Sequence, residues 1–351
     1  MPEQPPNIDL YSRNGFAGPM ATLVRAQYAP AYTRVAGTYT PRQLDLMAIA
    51  DSHFSDDRAL PVPVLVGEGT SIEMLRRRVD MPFAVRNVFR DEVHYVYSGT
   101  ARLETDFGVL DIEPGDFVLL PRTVTYRYTG IVGEVAASVL STTSELRLEP
   151  ENAPGVLNVD LHVETPRPFE ANLAAGVGGE YEVLLRHGDD TTSYFFDADP
   201  LPTMQVFGPP IVRRFNIRNV HGIGVTSGGL MPSRLLNDQT TNTLLFYVGT
   251  RQTTRPPIHH NADYDEIIFF ARGPGAWGAV ADPGTVTWTP KGVIHHGPDE
   301  NVPEGFQAFL VETRAAMRMT DVGAQISRLM ETENYGVHPT DRSEPAAHAV
   351  S

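Results

Sequence analysis

Residues 256–273 read PPIHHNADYDEIIFFARG, and residues 284–299 read GTVTWTPKGVIHHGPD. Four of the chain's eleven histidines stand in these two stretches, as one adjacent pair in each, and Glu266 lies between the pairs at the start of an apolar run. Two imidazoles and one carboxylate form a ligand set for Fe(II) that leaves coordination positions open. The two stretches therefore predict a metal site.

The spacing within the two stretches resembles the two halves of the metal-binding motif of cupin barrels. Residues 259–273 are similar to the first half, with Asn261 where a second histidine often stands, and residues 284–299 are similar to the second half, with Asp299 in the final position. Glycines and Pro290 would make the tight turns between strands, so that the ligands converge in one barrel. The alternative is that the paired histidines only cap strands or line a barrel mouth, which two pairs in matching spacing disfavour.

Only one histidine of each pair can face the metal, because neighbouring strand residues point to opposite faces of a sheet. The cupin spacing favours His259 and His295, together with Glu266, as the metal ligands. A competing register would use His260 and His296 instead, and both registers stay open at this point. The outward histidine of each pair would then orient the ligands or the substrate.

An earlier stretch, residues 85–126, repeats the asparagine, glutamate, glycine and proline spacing of the later motif. Both histidine positions are lost, because Val85 and Tyr126 stand in them. The repeat therefore predicts a first barrel of the same kind that holds no metal and has a structural role. A second site at Glu92 and His94 is the alternative.

The strand pattern predicts an all-β fold, a bicupin with two jelly-roll-like barrels in one chain and a few short helices. Short apolar or alternating runs are separated by glycine, proline and aspartate, and no helical crossovers for parallel strands are visible. Short helices are expected at 41–54 and 319–334. The predicted segments are an N-terminal arm with the metal-free barrel (1–148), a linker with edge strands (149–204), the metal-binding barrel (205–318), and a C-terminal helix and tail (319–351).

Composition limits the partners and the compartment. The 351 residues carry a formal net charge of −15, which argues against nucleic acid and anionic membranes as partners. Cysteine is absent, so disulfides and thiolate sites are excluded. No secretory signal and no apolar run of roughly 18 residues is present, and a cytoplasmic protein is expected.

The chain resembles the homogentisate 1,2-dioxygenase family in four stretches of sequence. The resemblance lies in DEVHYVYSGTARLETDFGVLDIEPGDFVLLPR (91–122), YEVLLRHG (181–188), the RPP-x-H-x-N pattern (255–261) and HGPD (296–299). It implies a bicupin with Fe(II) in the C-terminal barrel only, O2-dependent cleavage of an aromatic ring with para-hydroxyls, and a homo-oligomer. The stretch VFGPPIVRRFNIRNVHG (206–222) departs from the family's aromatic-rich strand, so homogentisate itself is not assumed.

Further residues are candidates for catalysis and substrate binding. The candidate bases for removing a phenol proton are His221, His260 and His296. The candidate substrate-binding residues are Asn261, Tyr264 and Arg255. Arg213 and Arg214 could also bind a substrate carboxylate through two parallel hydrogen bonds. A structural role is the alternative for His221 and for each arginine. Lys291, the only lysine, is read mainly as compositional bias.

Two other classes of function stay open. One is a different cupin oxygenase or an isomerase, because ligand spacing alone does not separate these enzymes. The other is a non-catalytic metal-binding bicupin. Two imidazoles and a carboxylate also bind Mn, Ni, Zn and Co, so the metal is predicted only as a first-row divalent ion, with Fe(II) preferred.

Overall fold

A computed structural model describes residues 8–15, 18–26, 35–148, 156–170, 177–208, 211–222, 232–249, 258–273, 282–295 and 305–330. These residues form twenty-three strands, two short α-helices and three short 3-10 helices. The strands build two large sheets and one small one. The predicted all-β class with a few short helices is confirmed. Within the described ranges, no helix combines the length and apolar character needed to cross a membrane.

The first large sheet carries most of the N-terminal half and forms the first barrel. Its central strands pair in the order β9-β7-β10-β5-β4. The strands of this sheet are β4 (Val62–Gly67), β5 (Thr70–Arg77), β6 (Ala84–Asn87), β7 (Asp91–Thr105), β8 (Gly108–Ile112), β9 (Asp116–Leu120), β10 (Thr125–Thr142), β12 (Val163–Glu164), β13 (Val177–His187), β14 (Asp190–Ala198), β15 (Arg213–Asn216) and β22 (Arg318–Met319).

The second large sheet carries most of the C-terminal half and forms the second barrel. Its order is β11-β16-β17-β21-β19-β20-β3-β23. The strands are β3 (Arg42–Asp45), β11 (Arg147–Leu148), β16 (Ser233–Asn237), β17 (Thr243–Gly249), β19 (Asp265–Arg272), β20 (Thr285–Thr289), β21 (Gln307–Thr313) and β23 (Ser327–Leu329).

The small sheet brings an N-terminal strand to the metal motif. It contains β1 (Ile8–Ser12), β2 (Met20–Val24) and β18 (His259–Asn261). β1 pairs antiparallel with β2 and parallel with β18. The predicted N-terminal arm thus contains a paired strand from Ile8 to Ser12.

Alternation along the strands separates two apolar faces of the second sheet. On one face, Phe246, Phe270 and Leu310 form a core with their neighbours from β17, β19 and β21. On the other face, Phe309 joins a core that includes residues of the first barrel. Its ring centroid lies 5.1 Å from that of Phe117 in β9. The two barrels are therefore packed on each other through a continuous aromatic core.

The sheets exchange strands across the predicted segment boundaries. β3 precedes the first barrel in the chain, yet it pairs with β20 and β23 of the second sheet. β15 follows the boundary predicted at residue 205, yet it pairs with β9 of the first sheet. Each large sheet is therefore completed by a strand from the other side of the predicted boundary, because β3 and β15 pair with strands of that sheet.

Both predicted helices differ from the structure. Residues 41–54 form β3 and two 3-10 turns, Leu46–Ala48 and Asp51–His53. At 319–334 the helix is only Asp321–Gln325, and Ser327–Leu329 continues as β23. In both places pairing between β3 and β23 outweighs the local helical pattern, since propensity is a weak prior against tertiary pairing.

Candidate metal centre

Three buried side chains converge inside the second barrel: His259 from β18, Glu266 from β19, and His295 from the segment after β20. Their ligand atoms all lie within 4.8 Å of one another. Nε2 of His295 is 3.5 Å from Oε2 of Glu266, and Nε2 of His259 is 3.9 Å from the same oxygen. In the described part of the chain this is the one group of this kind that could hold a metal ion.

The backbone places the two imidazoles side by side. The amide of His259 donates to the carbonyl of His295 at 2.8 Å, and the amide of His295 donates back at 2.9 Å. The ring centroids are 4.3 Å apart. The turn before His295 is fixed by Gly292, which has a φ of 77° and whose amide donates to the carbonyl of Asn261 at 2.7 Å. A positive φ explains glycine at this position.

The hydrogen bonds of His295 select its tautomer. Its Nδ1 lies 2.9 Å from the carbonyl oxygen of Val293, which can only accept, so Nδ1 carries the proton. Nε2 is then left to face Glu266. Burial alone would lower the pKa of His295, but the charge of Glu266 outweighs burial and raises it. In the same way, burial opposes ionisation of Glu266, but the two histidines hold the pKa of its carboxyl well below the usual value.

The structure brings His259, and not His260, to Glu266 and His295. His260 points to the opposite face of β18, where its Nδ1 lies 3.1 Å from Oδ1 of Asp9. Its ring packs edge-on against Tyr11 at 5.1 Å. This arrangement is the register that the cupin spacing favours. The alternate ligand His296 lies outside the described residues.

Two residues predicted to bind substrate have other contacts. Asn261 donates from Nδ2 to Oε2 of Glu266 at 3.3 Å, and its Oδ1 accepts from Ser12 Oγ at 2.8 Å. Tyr264 is fully buried, and its hydroxyl donates to the carbonyl of Thr241 at 2.7 Å. Asn261 therefore supports a ligand, and Tyr264 is part of the apolar core.

Lys291 has a structural environment. Its Nζ donates to the backbone carbonyls of Arg314 and Ala315 at 2.6 and 3.2 Å, and it lies 3.4 Å from Oδ1 of Asp265. The ammonium group therefore ties the turn before His295 to the chain after β21.

The remaining candidates that the structure describes lie on elements outside the buried cluster. His221 is exposed and follows the 3-10 helix Ile217–Asn219, next to the first barrel. Arg213 and Arg214 belong to β15 in the first sheet. Arg214 donates to the buried Asp116 at 2.7 Å and is therefore already paired. Arg255 lies outside the described residues.

The sequence reasoning missed Glu312, which pairs directly with Glu266 across β19 and β21. Residues opposite each other in an antiparallel pair share a face. Glu312 is fully buried, and neither of its carboxylate oxygens has a hydrogen-bond partner within the described residues. Burial first, and then the charge of Glu266, raise the pKa of Glu312 to about 8. The signal in the sequence that could have indicated Glu312 is an acidic residue inside the apolar run FQAFLVET (306–313).

The corresponding position of the first barrel is already satisfied by hydrogen bonds. Glu92 accepts from the hydroxyl of Tyr126 and from Nδ2 of Asn87, both at 2.8 Å. Nε2 of His94 lies 3.1 Å from it, and Nδ1 of the same ring is 2.6 Å from the Tyr128 hydroxyl. Tyr126, which replaces a histidine of the motif, thus contacts the carboxylate directly.

Two packed barrels with one buried cluster of two histidines and a glutamate define a bicupin with a single candidate metal centre in the described residues. No protein-family model matches the chain. A homogentisate 1,2-dioxygenase of Nitrobacter hamburgensis is 22% identical over 267 residues, which cover 66% of this chain and 58% of that protein. A protein of Saccharolobus solfataricus, whose name assigns it provisionally to the dioxygenases, is 22% identical and covers 70% of this chain and 68% of that protein.

Among solved structures, a cupin 2 conserved barrel domain protein from Leptotrichia buccalis has a TM-score of 0.45 at 10% identity, over 80% of this chain and all of that chain. The resemblance to the homogentisate 1,2-dioxygenase family is confirmed by the sequence relatives, at low identity. The chain spans only 58% of the length of the homogentisate 1,2-dioxygenase that it matches.

Proposed function

We propose that this chain is a non-haem Fe(II)-dependent dioxygenase that cleaves the ring of a para-dihydroxy aromatic compound, such as homogentisate, gentisate or a related hydroquinone. The observation that carries the proposal is the buried convergence of His259, Glu266 and His295 inside the second barrel. Similarity to proteins named as dioxygenases supports the class of reaction, with O2 as the second substrate.

The donor set fits Fe(II). Two imidazoles and one carboxylate are the ligands of non-haem iron oxygenases, and the tautomer of His295 leaves its Nε2 lone pair for a metal. Bound there, Fe(II) would supply open coordination positions at which the aromatic substrate and O2 react. The same donors bind other first-row ions, so metal analysis is part of the test.

The chain's own residues orient the ligands and exclude water. Asn261 donates to the Glu266 carboxylate and holds its orientation. Ile268 and Phe270 follow Glu266 on the same face of β19 and line the interior with an apolar core. His260 contacts Asp9 on the outer face, so it supports the strand in this proposal and does not act as the base.

Oxygen uptake tests the proposal. The protein is reconstituted with Fe(II) under anaerobic conditions, its iron content is measured, and homogentisate, gentisate and hydroquinone are offered in turn. We expect uptake with one of them, together with a new absorbance from the ring-opened product. Protein that holds one iron per chain but consumes no O2 with any para-diol would count against a ring-cleaving dioxygenase and favour another cupin enzyme or a non-catalytic bicupin.

A pair of neighbouring variants tests the ligand register. His259→Ala should abolish iron binding with a near-native circular dichroism spectrum, because it removes one of three ligands. His260→Ala is the matched control and should still bind iron, since its ring faces Asp9. Retained iron in His259→Ala, with loss in His260→Ala, would move the site to the alternate register. A homo-oligomeric state and a cytoplasmic location stay predictions.

A further inference from the structure

We infer that the N-terminal strand β1 belongs to the candidate metal centre. Within it, Ser12 is a positioning residue that orients the Glu266 carboxylate through Asn261. The inference rests on the proposed metal site but not on the reaction proposed there. It assigns a role to a segment some 250 positions away from the ligands in the chain.

The backbone of β1 holds the short strand that carries His259. Leu10 stands opposite His259, and Ser12 stands opposite Asn261 in a parallel register. The amide of Leu10 donates to the carbonyl of Ile258 at 2.9 Å, and the amide of Ala262 donates to the carbonyl of Ser12 at 3.0 Å. β18 is only three residues long, so these bonds from β1 are a large part of what sets its register.

Ser12 reaches the ligand through one amide. Its hydroxyl donates to Oδ1 of Asn261 at 2.8 Å, and Nδ2 of Asn261 donates to Oε2 of Glu266 at 3.3 Å. Both side chains are almost fully buried. An ionised carboxylate can only accept, so the Nδ2 end of Asn261 faces Glu266, and the Ser12 hydroxyl donates to the buried oxygen at the other end of the amide and holds it there. Without the hydroxyl, the Asn261 oxygen loses this hydrogen bond and the amide is held less firmly against Glu266.

Polar contacts anchor β1 on both sides of Ser12. Asp9 is buried, lies 3.1 Å from Nδ1 of His260 and accepts from Arg25 at 3.0 Å. Beyond Ser12, Asp263 accepts from Nε of Arg13 at 2.7 Å and from the amide of Asn14 at 2.9 Å. The strand is therefore held in register from its second residue to the turn that follows it.

The turn after β1 lies against the buried acid opposite Glu266. Gly15 has a φ of 57°, and a Cβ built on it would lie 2.2 Å from Oε2 of Glu312. Glycine suits this backbone conformation and leaves room for the Glu312 carboxylate. The N-terminal segment thus touches the site region at two points, Ser12 on the Glu266 side and Gly15 at Glu312.

Metal affinity tests the inference without relying on turnover. Metal-free protein is titrated with Mn(II), and the bound ion is followed by its EPR spectrum. Ser12→Ala should weaken Mn(II) binding by about 10-fold or more and alter the spectrum, as is usual when a group that orients a ligand is lost. Ser12→Thr keeps the hydroxyl and should restore both. The matched control is Thr22→Val, which removes an exposed hydroxyl from the neighbouring β2 and should change neither.

The outcomes separate this inference from the proposed function. Ser12→Ala with the affinity and spectrum of the parent would overturn the inference. If Ser12→Ala does not fold, Ser12→Gly takes its place, because it also removes the hydroxyl, and parental affinity in that variant has the same meaning. Parent protein that binds Mn(II) but shows no O2 uptake with iron refutes the dioxygenase proposal alone. Parent protein that binds no divalent ion refutes both.

Discussion

The carboxylate of Glu92 in the first barrel should stabilise the fold by its charge, and Glu92→Gln tests this. Burial disfavours the charged form, but the hydrogen bond from His94, the charges of His94 and Arg186, and the hydrogen bond from Asn87 outweigh burial and lower the pKa of Glu92 to about 2. The hydroxyl of Tyr126 donates to the same carboxylate at 2.8 Å. Glutamine has nearly the same volume, but it carries no negative charge and has only one oxygen that can accept these hydrogen bonds.

The magnitude follows from the pKa. A shift from 4.5 in the unfolded chain to about 2 in the folded protein corresponds to about 3 kcal/mol, at roughly 1.4 kcal/mol per unit. Because the folded pKa is the lower one, this stabilisation is complete above about pH 4.5 and is lost as the pH falls through about 2. Glu92→Gln should therefore lower the free energy of unfolding by about 2 to 3 kcal/mol at neutral pH, and by clearly less in acid.

Urea unfolding followed by far-ultraviolet circular dichroism, at neutral pH and in acid, measures both quantities. Glu68→Gln is the matched control, because Glu68 is exposed in the turn between β4 and β5. It should change the free energy of unfolding little at either pH. The reasoning fails if Glu92→Gln is as stable as the parent at neutral pH, or if its loss of stability is the same in acid.

Four further predictions concern the second barrel and the core between the barrels. Phe309→Ala should lower the free energy of unfolding by about 3 to 5 kcal/mol, and Phe309→Leu by less, in urea titrations. Chelation should lower the thermal unfolding midpoint, because a metal bound only by the folded state stabilises it, and His259→Ala should be insensitive to chelator. Since the pKa of Glu312 is raised from 4.5 to about 8, its contribution to stability falls as the pH rises between these values, and Glu312→Gln should stabilise the metal-free protein at alkaline pH but not in acid. Gly15→Ala should destabilise the protein through its positive φ and its contact with Glu312, whereas Gly37→Ala, which meets no neighbouring atom, should suffer only from its φ, as measured by thermal unfolding.

The sequence predicted the fold class and the three converging side chains, because both depend on local spacing. Strand alternation and the glycine turns point Glu266 and His295 into one barrel without knowledge of distant residues. The choice between His259 and His260 was open from the sequence, because their strand takes its register from β1. Asp9 and Ser12 contribute to that register, and no spacing rule links residues so far apart in the chain.

The extent of each barrel was harder to predict than its centre. The strands nearest the motifs lie in the two expected barrels, but the edges are completed by β3, β15 and β22 from the other half of the chain. Such pairings depend on which edges remain open after the barrels form, a property of the folded molecule and not of any window of sequence. The helix expected over 319–334 fails for the same reason, because β23 pairs with β3.

This exchange of strands ties the two halves of the chain into one structural unit. A fragment that starts at residue 205 would lack β3, which lies between β20 and β23, and would take β15 and β22 away from the partners they have in the first sheet. Two fragments divided at the predicted boundary would therefore each lack strands of their own sheet. The second barrel therefore needs chain from before the first barrel for its own closure.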